Sequence, residues 1–426
     1  VFLDALDPRR TTGFVKDIQL GQYECNTPVV TPSNVGSILT GKNPGQHGLV
    51  APTRFREGTR QRPAVETILE KLSHRGYVFS HGIPFTANQK TKKGGVGGGN
   101  MDGSGEPVLP CLQFPPLPIN MGDIDPEMAL QHFMDLASMI FASFRDLIRA
   151  GAADYYFIGF RNLDSFTHWF QDGDYYDRLL DHVNGELKAF VCMGDDIDLF
   201  VFSDHGCMPA HDVFRINLWL KENGWLDYNI AMHNHAYNIT KQAKNKEQIG
   251  PFSREFELIP TSKFLCADAF DSCVDAVGDV TEEDCKKLCE ELMGTGNYEW
   301  VKTREELWPG LSDEEYERIP KIIPRRVPGV LVSSNCHPGI PIRGFTEHDE
   351  IINSRNGDHW TQGYYGCTVD LELPDELKTN NPESLYHMID LFCEPPEDEE
   401  EDKPDVTLSN ADQGLMADAL ADMGYV

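Results

Sequence analysis

The chain has 426 residues, enough for two or three domains or for one large α/β domain carrying an insertion. Its 37 Lys and Arg against 68 Asp and Glu leave a formal net charge of −31, a field that repels nucleic-acid backbones and anionic membrane surfaces, and no local basic cluster offsets it. No apolar run approaches the roughly 18 residues of a membrane span, so a soluble protein acting on a small partner is expected, not a binder of nucleic-acid duplexes or bilayers. The 11 Cys are an odd number, scattered and without a CxxC pair, which points away from a disulfide framework and towards a reducing, cytoplasmic setting. The sequence opens at Val1 with no Met, so either a few residues or a removed leader precede it. The acidic excess is spread along the chain and reads either as a solvated surface or as adaptation to high salt.

Short apolar runs alternate with segments of helical period, the pattern of a doubly wound, mostly parallel sheet with helices on both faces. In chain order, residues 1–3 form a strand and residues 64–74 a helix ending before Gly76. Residues 93–118 are too rich in Gly and Pro for a regular element and read as a loop. A long helix follows over 126–149, then a strand over 155–160, a helix over 177–190 and a strand over 197–202. Residues 281–293 open with a Thr-x-x-Asp capping pattern and read as a helix; Cys285 and Cys289 lie four apart on it and read as packing. Residues 395–404, PPEDEEEDKP, read as a solvated linker before a last helix over 412–423.

Ligands of open α/β sheets bind beyond the carboxyl ends of the strands. Three strands here end in the same kind of residue: the first runs into Asp4, the second is followed by Asp164, and the third by Asp204 and His205. A single Asp after a strand is ordinary turn chemistry; three, two of them with a nearby His, suggest a cation site. Asp164 and His168 stand four apart, so on a helix they share a face, and His359 follows a turn-forming Asn-Gly and could complete that set. Thr31-Pro32 opens the segment TPSNVGSILTGKNPGQHG as a helix-start signature, with Thr31 as N-cap and Pro32 as first helical residue. A hydroxyl there meets the positive end of the helix dipole, where phosphate binds.

These residues together give a resemblance to the alkaline phosphatase superfamily, within it to the type I phosphodiesterase/nucleotide pyrophosphatase branch. The similarity spans most of residues 1–206 and returns at 356–370, with 216–226 also family-like. The resemblance implies that Thr31 is the nucleophile, with Asn34, Thr40, Gly41, Pro44, His47 and Gly48 in step. It implies one metal held by Asp4, Thr31, Asp204 and His205, and a second by Asp164, His168 and His359; Asp7 competes with Asp4 for the first place. Two divalent ions, zinc by the donor set or manganese, would serve a phosphodiester or nucleotide-like phosphate ester through a phosphothreonine intermediate. The same site would also suit a phosphomonoesterase or phosphonate hydrolase, and a catalytically silent binding protein is the reading from another class. The family Asn that holds a phosphoryl oxygen shortly after the His-Gly pair has no counterpart in residues 49–55, where Thr53, Arg54 or the backbone near Thr31 would have to replace it. The sulfatase signature is absent. Residues 1–208 and 329–426 are expected to form the catalytic core, and 209–328 an inserted subdomain that meets the substrate.

Overall fold

The computed structural model describes the chain except for residues 11–12, 17, 51–62, 64, 87–93, 100–124, 171–173, 195–196, 231–255, 267–271, 334–340, 346–356, 370, 372–373, 375–379 and 395–426. Thr53, Arg54, His233, His235, the acidic run and the last expected helix lie outside the described residues.

The central sheet is built from β1 (Phe2–Leu3), β2 (Gln19–Glu24), β3 (Val78–Pro84), β4 (Gly94–Gly99), β5 (Tyr155–Phe160), β6 (Phe200–Phe202) and a last strand, Gln362–Cys367. Their order is β2, the last strand, β6, β1, β5, β3, β4; β6, β1, β5, β3 and β4 run parallel, and the last strand runs antiparallel to both of its neighbours. Alternation along the strands splits the apolar residues between two faces. Leu3, Ile158, Phe160 and Val201 pack into one cluster with the helices α4 (Pro126–Arg149) and α6 (Tyr175–Val191), α4 supplying Leu130, Phe133, Ala137, Phe141 and Phe144 at helical spacing. Phe2, Phe157, Phe200 and Phe202 pack on the other face with α1 (Thr31–Thr40), α3 (Ile68–Leu72) and a C-terminal helix, Pro382–Phe392. Helices therefore cover both faces, the arrangement that the alternation of segments implies.

Several elements differ from expectation for local reasons. The helix expected over 64–74 is only Ile68–Leu72, because Thr67 and Glu70 form a capping box that sets its start. The third aspartate-bearing strand is regular only over Phe200–Phe202. Within the Gly-rich stretch expected to be a loop, Gly94–Gly99 is a strand paired in parallel with β3. A ladder on an existing sheet edge outweighs poor strand propensity there. Residues 100–118 lie outside the described residues.

Beyond β6 the chain forms β7 (Gly206–Pro209), β8 (Asp212–Arg215) and α7 (Ile216–Glu222). Four short strands follow, β9 (Tyr228–Ile230), β10 (Phe256–Leu258), β11 (Phe264–Leu265) and β12 (Asp275–Ala276), then α8 (Glu282–Gly294). A hairpin of β13 (Tyr298–Thr303) and β14 (Ile322–Arg326) leads to β15 (Val330–Ser333), which returns alongside β8. A separate hydrophobic cluster joins Phe214, Trp225, Leu288, Cys285, Cys289, Tyr298 and Val332. Thr281 caps α8 through the expected box, and both cysteines pack inward. After this, β16 (Gly357–Trp360) pairs antiparallel with β7, placing His359 opposite Cys207, and leads into the last sheet strand, β17 (Gln362–Cys367).

Candidate active site

The register of the sheet explains why distant residues meet. Phe2 stands level with Phe202 on one side and Gly159 on the other, so two residues further along Asp4, Asp204 and Arg161 come level at the carboxyl ends of three adjacent parallel strands. Ala5 then turns away in the left-handed region with φ 58°, a conformation uncommon outside glycine that ends the strand directly after Asp4. β5 leads into α5 (Asn162–Trp169), which carries Asp164 and His168 one turn apart. β2 leads through Cys25 to α1 and Thr31, and His359 arrives on β16. All seven residues singled out from the sequence are brought together.

Asp164 Oδ1 lies 3.3 Å from His168 Nε2 and 3.3 Å from His359 Nε2, and the two Nε2 atoms are 3.2 Å apart. Each imidazole uses its other nitrogen on a backbone carbonyl: His168 Nδ1 on Gly357 at 3.2 Å, and His359 Nδ1 on Val29 at 2.7 Å. A carbonyl only accepts, so both Nδ1 atoms carry a proton and both Nε2 atoms are left to face one carboxylate oxygen. Three such atoms repel one another unless a proton or a metal cation lies between them. Ligand atoms about 2.05 Å from one ion at tetrahedral angles stand about 3.3 Å apart, and the observed triangle matches that spacing.

Around His205 a second set forms. Its Nδ1 donates to the Gly206 carbonyl at 3.1 Å, and its Nε2 faces Asp204 Oδ2 at 3.2 Å, Thr31 Oγ1 at 3.5 Å and Asp4 Oδ1 at 3.6 Å. Asp4, Asp204 and His205 are fully buried, and Asp4 Oδ1, Asp164 Oδ1 and both oxygens of Asp204 lack a hydrogen-bond partner among the described residues. Buried carboxylate oxygens without donors are costly unless they hold a cation. The residues present therefore fit divalent metal, and Asp4–Asp204–His205 and Asp164–His205–His359 each bring three ligand atoms within 4.8 Å of one another. The His205 and His359 rings stack with centroids 3.8 Å apart, joining the two sets. Asp7 is engaged elsewhere: its carboxylate takes the Arg9 Nε at 2.7 Å and Nη2 at 2.8 Å.

The expected N-cap is corrected by one residue. Val30 occupies the cap in extended conformation, Thr31 is the first helical residue and Pro32 the second. Val30 leads straight out of the turn that receives His359, and this displacement puts the Thr31 hydroxyl beside His205. The first N–H groups of a helix have no intrahelical acceptor, so the donors that favour an anion remain at this end of α1.

The electrostatics agree with a site built for positive charge. Burial, reinforced by the neighbouring Asp204 and Asp164 and only partly opposed by Arg161, pushes the Asp4 carboxyl well above the usual carboxylate range. Burial would also raise Asp164, but the His168 and His359 imidazoles against it hold it well below that range. Burial lowers His205, against the opposing pull of Asp204. A divalent ion in either set would favour the ionised carboxylates and the neutral imidazoles.

His47 supports this structure from behind. It accepts from the Leu49 N–H on Nδ1 at 3.1 Å, and its Nε2 lies 3.2 Å from the Ser33 carbonyl in α1, which makes it a neutral Nε2–H tautomer. A Cβ at Gly36 would stand 2.4 Å from the His47 ring, so the helix carrying Thr31 needs glycine there. Burial lowers His47 from 6.5 to about 3. The unfolded chain therefore binds a proton that the folded chain refuses, and stability is lost as pH falls from 6.5 towards 3, by up to about 5 kcal/mol. Denaturant unfolding at a series of pH values should show His47→Gln less stable at neutral pH yet losing less on acidification; parallel curves for the two proteins would refute the assignment.

Two solved structures of phosphonoacetate hydrolase share the fold. Phosphonoacetate hydrolase from Sinorhizobium meliloti 1021 in complex with phosphonoformate is similar with a TM-score of 0.55 and 14% identity, over 91% of this chain and 94% of that one. Its complex with phosphonoacetate gives 0.55 and 13% over the same shares. Murine ectonucleotide pyrophosphatase / phosphodiesterase 5 gives 0.47 and 13% over 92% and 94%. No curated protein matches the sequence significantly. The class is that of phosphoester hydrolases on a mixed α/β fold. Within it, the chain belongs to the type I phosphodiesterase / nucleotide pyrophosphatase family, whose profile matches residues 19–339. No helix among the described residues is long and apolar enough to cross a membrane.

Proposed function

We propose that the protein cleaves a phosphodiester or pyrophosphate-type bond of a small substrate at two divalent metal ions, through a phosphothreonine intermediate. The observation that carries this reading is the convergence of three carboxylates, Asp4 and Asp204 buried and Asp164 half-buried, with three imidazoles, one of which faces the Thr31 hydroxyl at a helix N-terminus. Asp4, Asp204 and His205 would hold one ion beside Thr31, and Asp164, His168 and His359 the other; zinc suits the mixed donors, and manganese accepts them. When bound, such ions supply Lewis acidity and neutralise the charge that three carboxylates and an ionised threonine bring together. Thr31 attacks phosphorus in line and expels the leaving group, and the first N–H groups of α1 orient the phosphoryl oxygens. Water then hydrolyses the phosphothreonine and restores the hydroxyl.

The core of residues 1–208 and 329–426 would carry this chemistry, and the insertion 209–328 would cap it. A narrow cleft fits that division, running from Pro28 and Val29 of the core past His359 to Arg325 and Arg326 near the insertion's end. A monoesterase or phosphonate hydrolase is the second reading, favoured by the absence of the family Asn after Gly48. The deciding experiment compares an activated phosphodiester with the matching monoester, using protein stripped of metal and reloaded with zinc or manganese. Faster turnover of the diester is expected. Faster turnover of the monoester would replace the first reading by the second, and no turnover with any divalent ion would remove both.

A further inference from the structure

We infer that Arg326, delivered by the inserted hairpin, is a positioning residue for the His359 metal ligand, acting through Asp358. The inference rests on the two-metal reading above and extends it to a residue outside the cluster.

The hairpin of β13 and β14 is interrupted opposite these residues: Tyr298 pairs with Arg326 and Trp300 with Arg325, leaving Glu299 as an extra residue. The bulge lies in β13 and increases the local twist of the pair where the two arginines of β14 stand. Both of these consecutive arginines reach residues of the core. Arg325 Nη2 meets Glu24 of β2 at 2.8 Å, while its Nε faces the bulged Glu299 at 3.0 Å. Arg326 forms a fork on Asp358, Nη2 to Oδ1 at 2.9 Å and Nη1 to Oδ2 at 3.2 Å, and Nη1 also donates to the Val330 carbonyl at 3.2 Å.

Asp358 is buried, with 4% of its surface exposed, and it immediately precedes His359 on β16. The fork fixes the backbone of β16 from one side of the strand. On the other side, His359 Nδ1 is fixed by the Val29 carbonyl. Together the two contacts set the direction in which His359 Nε2 points. A planar guanidinium with two parallel bonds specifies an orientation, which an ammonium on a flexible stem does not. The insertion thus becomes part of the metal site, besides any contact it makes with substrate. Supports of this kind behind a ligand typically change metal affinity 10- to 100-fold when removed.

The test is calorimetric titration of zinc into stripped wild-type protein and into Arg326→Met, Arg326→Lys and Arg343→Met variants, each checked for an unchanged metal-free unfolding transition. Arg343 pairs with Asp212 of β8 at 2.9 Å and with no residue of β16 among the described residues, and serves as the control. Wild type and Arg343→Met should bind two equivalents alike, while Arg326→Met should bind one equivalent 10- to 100-fold more weakly and the other unchanged. Arg326→Lys should lie between them, and it decides the matter if the Met variant does not fold. Cobalt(II) loading gives a readout independent of affinity: the visible bands of one of the two sites should change in the Arg326 variants. Two equivalents bound with wild-type affinities by both Arg326 variants would overturn the inference while leaving the two-metal reading standing. A wild type that takes up no zinc would overturn that reading itself, and the inference with it.

Discussion

Thr31→Ala should lower turnover by roughly 10³-fold or more while the protein still binds two metal ions. Thr31 is fully helical, buried, and held beside His205 by the extended Val30 on one side and the His47-supported helix on the other. Removing its Oγ deletes the attacking atom and one oxygen ligand but leaves Asp4, Asp204 and His205 in place. A methyl group fits where the threonine side chain stood, so the fold should be retained. Metal content measured beside the rate separates the two roles of the hydroxyl. Retained turnover would dismiss the phosphothreonine route, and turnover lost together with one metal equivalent would reassign Thr31 to ligand duty alone. Wild-type protein trapped by acid during turnover should carry phosphate on Thr31, and the variant none.

Removing the metal should lower stability by about 4 kcal/mol per ion when the free ion stands at a thousand times its dissociation constant. The size of that effect should depend on pH in a definite direction. In the metal-free protein Asp4 is pushed well above the ordinary carboxylate range, first by burial and then by Asp204 and Asp164. The folded, metal-free state therefore holds a proton that the unfolded state has released, and this group's contribution weakens as pH rises. Metal expels the proton, so the melting shift produced by metal should grow with pH, and loading in weak buffer should release acid. Asp4→Asn should lose much of the acid release. A metal-induced shift that stays constant between about pH 5 and 8 would count against a proton on Asp4.

Strand-end chemistry was legible in the sequence because hydrophobic runs mark buried parallel strands and whatever follows them lies on the ligand side of the sheet. Asp4, Asp204 and His205 follow such runs directly, and Asp164 with His168 follows one through a helical turn. His359 is different. It lies on β16, whose sequence Gly-Asp-His-Trp has no apolar run, and only its place after a turn-forming Asn-Gly and the motif resemblance pointed to it. β2 and β17 (QLGQYE and QGYYGC) carry too little hydrophobic signal to stand out, although they pair with one another and β17 with β6. The Arg326 fork left no trace in the spacing, because its partner Asp358 lies on another strand that only the folded chain brings alongside. The register of the Thr31 cap shows the same limit: Thr-Pro marks a helix start, but the turn that receives His359 decides which residue caps it.

The strand order has a consequence for the order of assembly during synthesis. β2 joins the sheet only through β17, the strand that lies between it and β6. Until β17 emerges from the ribosome, β2 has no neighbouring strand on which to hydrogen-bond, although it is made long before. Contacts of such sequence separation form late, because the loop they close must be ordered first. Because β16 leads directly into β17, the strand that ties β2 to the sheet also brings His359, so the reactive centre is completed in one late step.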